Sequence, residues 1–241
     1  MQNQRVRAVI GFVWGLLLFL GLAYSLKAAL PSALIGSPVR WQLVLKGTMV
    51  VLALLGWAMQ RRSFAEMGWQ RPLWNSSQLI WYGIGAIAMM AATVVLIFVG
   101  VKHPLAAQMS FPQIVLIIWF VSSFSEEVYV RGLVQSWVTK GQETAGLSPF
   151  APAIVSSALL FAGMHVPLIW TPMGVKGGVP LVLATLGLGW ACAVLRARSR
   201  SLWPAIACHV LGNVAAVPGG ILGVILYRVI YHRLPDFITS G

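Results

Sequence analysis

The sequence predicts an all-α fold, a polytopic membrane helix bundle of about eight transmembrane helices that forms one integral membrane domain over residues 1–241. Of the 241 residues, 59% are hydrophobic and only 9% are charged, whereas soluble domains are about 25% charged. The apolar residues also cluster in runs of roughly 20 residues, the length that a helix needs to cross a bilayer. Composition and run length together exclude a soluble globular fold.

The apolar runs define the predicted helices in chain order. The first run has no small-residue cleavage site before Pro31, so we expect a retained helix rather than a signal peptide. The last two runs are short, and only residues 217–220 separate them, so they correspond to two tilted helices or to one broken helix. We expect two helices, because charge favours eight crossings. The runs cover residues 8–30, 41–60, 79–101, 112–138, 149–169, 179–196, 201–217 and 219–233.

The basic residues support eight crossings with the N- and C-termini both cytoplasmic. With the N-terminus inside, eleven Lys and Arg residues fall on the inner side and five, including Lys46, on the outer side or at its span ends. This bias follows the positive-inside rule, and seven crossings would weaken it. We therefore expect an integral, multi-pass protein of a bacterial plasma membrane, with an internal eukaryotic membrane as the alternative.

The net charge of +12 does not indicate a nucleic-acid-binding protein. Proteins of that class carry a dense basic patch, whereas the basic residues here are scattered between apolar runs. We therefore expect membrane lipids as partners and no nucleic acid.

A few polar side chains lie inside the predicted spans. Ionisable groups at membrane depth cost about 2.5–3.5 kcal/mol each on insertion scales, so they are candidates for function. A lone buried histidine is more often a packing residue, but three polar pairs on three spans at similar depth favour a site. These residues are Glu126, Glu127 and Arg131 in the fourth run, Phe161 and His165 in the fifth, and His209 and Asn213 in the seventh.

The spacing in the fourth run separates the two adjacent carboxylates. Glu127 and Arg131 are four residues apart, on one helix face, where opposite charges pair. Such a pair is equally compatible with a purely structural role. Glu126 is rotated by about 100° from Glu127 and can therefore face a different neighbour.

These residue types are suited to peptide-bond hydrolysis. A carboxylate and an imidazole can activate water as a general base, and a second imidazole with an amide can donate hydrogen bonds to a developing oxyanion. Two alternatives use the same residues. In one, Glu126, His165 and His209 bind a catalytic zinc ion; in the other, a non-catalytic scaffold or transporter uses the buried groups to relay protons.

Three motifs resemble those of a known family. The sequence reads EEVYVRG at 126–132, SSALLFAGMH at 156–165 and SLWPAIACHVLGN at 201–213. These resemble the EExxxR, FxxxH and HxxxN motifs of the CAAX-protease and bacteriocin-processing (CPBP, or Abi) membrane endopeptidases. The resemblance covers about residues 112–215, which we take as the catalytic core.

The resemblance implies a role for each motif residue. Glu126 would be the catalytic glutamate of an intramembrane glutamic endopeptidase, and His165 would help it to activate water. His209 and Asn213 would form the oxyanion site. Glu127 and Arg131 would support the active geometry, with Phe161 packed beside the site.

The resemblance also implies cofactors and partners. No cofactor would be required, with zinc as the alternative. The substrate would be a peptide or protein, lipid-modified or membrane-anchored, that enters from the bilayer or the inner face. The family does not distinguish CAAX-type processing from bacteriocin-related or C-terminal sorting-signal processing.

Overall fold

The computed structural model of the chain describes residues 2–61, 63–101, 103, 108–140, 144 and 146–235. These residues form helices and no β-strand, and seven of the helices are long and apolar enough to cross a membrane. The predicted all-α polytopic bundle is confirmed. The seven helices are α1 (Gln2–Ala29), α2 (Pro38–Met59), α3 (Leu79–Phe98), α4 (Phe111–Val138), α5 (Pro152–Gly163), α6 (Gly174–Ser199) and α7 (Leu202–Tyr231).

Short helical segments complete the connections between these helices. Ser32–Ile35 lies between α1 and α2, and Phe64–Met67 lies between α2 and α3. A 3₁₀ turn, Ser76–Gln78, leads into α3, and another, Val166–Trp170, extends the span that α5 begins.

Local sequence explains where several helices begin. Ser37 caps α2 by accepting a hydrogen bond from the Arg40 N–H, and Pro38 follows at the first helical position, where a missing N–H costs nothing. Ser201 caps α7 in the same way. The tight turn before it places Arg200 in the left-handed region with φ 57°, so α6 and α7 are consecutive antiparallel helices.

Helix α4 is the irregular centre of the bundle. Two π-helical stretches, Ile114–Ser122 and Val128–Gln135, flank a short α-helical segment, Ser123–Glu127. Such π-helical turns are rare and occur frequently at functional sites. The helix packs against α2, α5 and α7, and from Val128 to Gln135 every residue is buried.

The prediction of separate seventh and eighth helices is wrong. Residues 202–231 form one helix, with Pro218 inside it. Neighbouring helices can stabilise a proline-containing membrane helix, and here α7 packs closely on α3. A Cβ on Gly219 would lie 2.7 Å from the Met90 carbonyl oxygen, and one on Gly223 would lie 2.9 Å from an Ile97 side-chain atom. The glycines after Pro218 therefore do not break the helix; they allow α7 to approach α3 closely.

An odd number of spanning helices, seven, would place the start of α1 and the end of α7 on opposite faces of the bundle. That both termini are cytoplasmic stays a prediction, and it needs an eighth crossing. Moving Arg228 and Arg233 to the other side reduces the charge bias from eleven against five to nine against seven.

We call the end of the bundle that holds the start of α1 the amino-terminal face. Arginines near the helix ends bind the segments between helices: Arg7 on α1 donates to the Lys140 carbonyl at 3.2 Å, and Arg196 on α6 donates to the Glu66 carbonyl at 3.0 Å. The other end, where α1 ends and α2, α4 and α6 begin, is the opposite face.

Candidate active site

Glu127 lies at the centre of a buried charge network. Its Oε1 atom accepts from Arg131 Nη1 at 3.1 Å and lies 2.9 Å from His209 Nδ1. The guanidinium also donates to the Gly189 carbonyl on α6 at 2.6 Å. Glu127 and Arg131 are both fully buried. The network thus ties α4 to α6 and α7.

Glu126 faces a different helix from Glu127. Its Oε1 atom forms an ion pair with Lys46 Nζ on α2, and its Oε2 atom lies 3.6 Å from His209 Nε2. The 100° rotation between adjacent helical residues accounts for this divergence. His209 therefore lies between the two glutamates.

The contact with Glu127 sets the proton position on His209. A carboxylate only accepts, so His209 Nδ1 carries the hydrogen that it donates to Glu127. In the neutral ring Nε2 is then an acceptor, and it becomes a donor only when the ring carries a proton on both nitrogens. Nε2 is thereby left facing Glu126.

Phe161 packs at the junction of the site side chains. Its ring is perpendicular to that of His209, with centroids 5.1 Å apart, and lies 4.9 Å from that of His165. The Arg131 guanidinium lies 4.8 Å from the Phe161 centroid. Gly189 makes room for this packing, because a Cβ there would lie 2.9 Å from Phe161 Cδ1.

His165 lies after the last turn of α5 and lines the same cavity as Glu126 and His209. Its Nδ1 atom is 2.8 Å from the Phe161 carbonyl oxygen. A carbonyl oxygen only accepts, so Nδ1 is the protonated nitrogen. In the neutral ring Nε2 is then an acceptor, as a proton-accepting group requires.

Asn213 links α7 to the irregular part of α4. Its Nδ2 atom donates to the Ile118 carbonyl at 3.2 Å and to Ser123 Oγ at 3.0 Å. Both amide hydrogens are thus engaged within the protein. The oxyanion role implied by the resemblance stays a prediction, and it requires these contacts to be exchanged for one with the substrate.

A cavity of about 500 Å³ brings the motif residues together. Glu126, Phe161, His165, His209 and Asn213 all line it, as expected from their similar predicted depth, while Glu127 and Arg131 lie behind them. The remaining lining is mostly apolar, and the cavity as a whole is lined by residues of all seven helices.

The cavity lining continues to the opposite face, where Tyr24 and Lys27 are exposed. The position of this cavity mouth bears on two expectations, a cytoplasmic N-terminus and substrate entry from the inner face. With the N-terminus inside, the amino-terminal face is cytoplasmic and the mouth faces outward. A cytoplasmic N-terminus and substrate entry from the inner face are therefore mutually exclusive.

Two residues of the cavity were missed in the sequence. Lys46 was assigned to the outer span ends, yet it is only 6% exposed and pairs with Glu126. Its position inside an apolar run meets the same criterion that selected Glu126. His103 lies between α3 and α4, half-buried, and lines the cavity. His103 follows the end of a predicted span, where a histidine can be solvated, so its position in the sequence does not indicate a functional site.

The geometry fits the alternative zinc site poorly. Among the residues that the structure describes, no group of three or more His, Cys, Asp and Glu side chains is arranged to hold a metal ion. One oxygen of Glu126 already pairs with an ammonium group. A cation there competes with a metal for the same lone pairs.

Comparison with known proteins agrees with this geometry. Residues 108–215 match the family model described as Type II CAAX prenyl endopeptidase Rce1-like. The resemblance to the CAAX-protease family is confirmed. The match supports an intramembrane endopeptidase in a multi-pass membrane protein. The matched segment contains all seven motif residues and leaves α1–α3 outside. Neither the curated proteins nor the solved structures include a significant match.

Proposed function

We propose that the chain is a glutamate-dependent intramembrane endopeptidase in which Glu126 and His165 activate water. The observation that carries the proposal is the cavity, in which a carboxylate and two imidazoles from three helices meet. A carboxylate held among fixed polar partners is suited to accept a proton from water at the moment of attack.

The reaction proceeds in two steps. Water bound between Glu126 and His165 gives a proton to Glu126 as its oxygen attacks the scissile carbonyl carbon. The tetrahedral intermediate then collapses, the C–N bond breaks, and the proton passes from Glu126 to the departing amine. No covalent enzyme intermediate forms.

His209, when it carries a proton on Nε2 as well as on Nδ1, and Asn213 donate hydrogen bonds to the oxyanion of the intermediate. The Asn213 amide exchanges its contact with Ser123 for one with the developing charge. Donors placed where charge develops contribute about 2.7–4 kcal/mol each in other hydrolases. Glu127 and Arg131 hold the His209 ring in place from behind.

The reaction needs no metal ion. Lys46 already pairs with one oxygen of Glu126, and among the described residues no group of three or more His, Cys, Asp and Glu side chains is arranged to hold a metal ion. Activity is therefore expected to survive exhaustive chelation. Inhibition by chelators that only zinc reverses would instead establish the zinc mechanism.

The substrate is the tail of a membrane-anchored or lipid-modified protein. Apolar side chains such as Phe19, Leu45 and Leu168 line the route to the catalytic residues, as an apolar anchor requires. CAAX-type processing fits the name of the family, and processing of a C-terminal sorting signal fits a bacterial membrane; both present an apolar or lipid-modified tail that suits this lining.

We place the protein in a bacterial plasma membrane. The remaining charge bias of nine against seven keeps the amino-terminal face cytoplasmic. The cavity mouth then opens to the outer side of the membrane or into its outer leaflet, and the substrate approaches from there.

The test uses the purified chain in lipid nanodiscs with a fluorogenic farnesylated peptide that ends in a CAAX sequence. Glu126→Gln and His165→Ala are expected to lower kcat at least about 100-fold, because each removes a group that handles the proton. Glu66→Gln is the matched control, since Glu66 is exposed at the amino-terminal face.

Folding of each variant is checked by its unfolding profile. Full activity in well-folded Glu126→Gln or His165→Ala protein would overturn the mechanism. If the wild-type chain leaves this peptide intact, its substrate is sought by comparing the termini of membrane proteins in cells with and without it.

A further inference from the structure

The charged side chain of Lys46 lies within a membrane helix and outside the family match. It belongs to α2, between Leu45 and Gly47, and is almost completely buried. An ionised side chain at membrane depth is retained only with a compensating partner or for a function. The identity of that partner is therefore informative.

The partner is Glu126. Lys46 Nζ donates to Glu126 Oε1, whereas the nearest approach of His209 to this carboxylate, 3.6 Å at Oε2, exceeds hydrogen-bond distance. The adjacent Glu127 is compensated differently, by Arg131 four residues along its own helix. The two carboxylates thus have separate counter-charges, and that of Glu126 comes from another helix.

The counter-charge matters because a buried carboxylate tends to take up a proton when no opposite charge is close. A protonated Glu126 could not accept a proton from water. We propose that Lys46 is a positioning residue of the active site, which keeps Glu126 ionised and directs its free oxygen toward His209. This inference rests on the proposed function of Glu126 as the base.

Lys46 acts through Glu126 rather than on the substrate. With Oε1 held by the ammonium group, Oε2 remains available to water on the side of His209. The helices before residue 108 therefore contribute more than apolar packing. The matched segment contains the base, and α2 contributes the charge that keeps the base active.

The protonation state of Glu126 can be measured without any substrate, by infrared spectroscopy of the full chain in nanodiscs at pH 7. Lys46→Met replaces the ammonium group by an apolar side chain of similar length. The variant is expected to gain the C=O stretching band of a protonated carboxyl group. Adding Glu126→Gln to Lys46→Met should remove that band, which assigns it to Glu126.

Activity provides a second readout. With the farnesylated peptide, Lys46→Met should lower kcat at least about tenfold, with KM nearly unchanged, because the base is lost and the apolar lining is kept. Lys46→Arg restores a cation and is expected to recover part of kcat. Lys176→Met is the matched control, because this exposed lysine on the opposite face does not line the cavity.

A Lys46→Met protein without the new band, or with wild-type kcat, would overturn the proposal. The infrared result does not depend on cleavage, so it stands or fails independently of the proposed protease activity. Should Lys46→Met not fold, the double variant with Glu126→Gln decides the question. Recovery of folding supports a pair that neutralises Glu126, and continued failure shows that Lys46 has another, structural role.

Discussion

The two parts of this bundle contribute to the active site in different ways. The segment from α4 to the first half of α7 contains every motif residue, in spacings that can be read from the sequence. The first three helices contain no such motif, yet α2 supplies Lys46 and α1 supplies cavity wall. The motif residues, which occur at fixed spacings, all lie in the segment from α4 to α7. The first three helices supply a counter-charge and apolar side chains around them.

The adjacent glutamates differ in where their counter-charge comes from. Glu127 is compensated within its own helix by an arginine, which remains charged at any accessible pH. Glu126 is compensated across helices by a lysine that lines the cavity. The side chains of the local pair are both 0% exposed, whereas those of the pair between helices are 8% and 6% exposed at the cavity.

The largest stability effect is therefore expected at Glu127. Glu127→Gln leaves the Arg131 guanidinium buried without its counter-charge, which should lower the free energy of unfolding by about 3–5 kcal/mol. Steric-trapping measurements of unfolding in lipid bicelles would provide this value.

Glu126→Gln is the matched comparison for that experiment. Lys46 lines the cavity, whereas Arg131 is completely enclosed, so we expect a smaller loss of unfolding free energy than at Glu127. Equal losses at the two positions would contradict the distinction between an enclosed local pair and a pair between helices at the cavity.

An intermediate effect is expected at Gly189, where α6 meets the site. Gly189→Ala would place a Cβ 2.9 Å from Phe161 Cδ1 and 3.3 Å from Arg131 Nη2. Overpacking of this kind costs about 1–3 kcal/mol. Displacement of Phe161 should also disturb His209, so kcat should fall together with stability.

Gly83→Ala, in the first part of the bundle, is the control for Gly189→Ala. No atom beyond the local helix lies within 4 Å of a Cβ at Gly83, and alanine favours helix more than glycine does. Its unfolding free energy should be unchanged or slightly higher. A comparable loss at both glycines would show that packing around Phe161 is not specifically tight.

Much of the fold and of the site could be predicted from the sequence because membranes restrict the choices. A run of apolar residues long enough to span must form a helix, and this rule located the seven observed helices. It could not decide whether Pro218 ends a helix, because that depends on whether a neighbour packs against the glycines after it. The close approach of Gly219 to the Met90 backbone is a tertiary contact that nothing in the local sequence indicates.

The same limit applies to the site. Helical spacing predicts that Glu127 meets Arg131, and the structure has this contact. Spacing says nothing about Lys46 meeting Glu126, because the two residues are 80 positions apart on different helices. The sequence could mark Lys46 as a costly residue within a span, but only packing shows which carboxylate it contacts.

The smallest predicted effect concerns His103, at the junction of the two parts. Burial lowers the pKa of His103 to about 4, and the nearby His165 contributes to this, whereas an unfolded histidine titrates near 6.5. The folded chain thus binds fewer protons at this residue. Its contribution to stability is complete above pH 6.5 and is lost as the pH falls toward 4.

Thermal unfolding of the wild type and of His103→Gln between pH 7 and pH 4.5 measures this contribution. The melting temperature of the variant should fall less with acid than that of the wild type, because one proton uptake on unfolding has been removed. His232→Gln, at an exposed position after α7, should follow the wild type. If His103→Gln has the same acid dependence as the wild type, this histidine is not kept neutral by burial beside the cavity, and the junction contributes no pH sensitivity of its own.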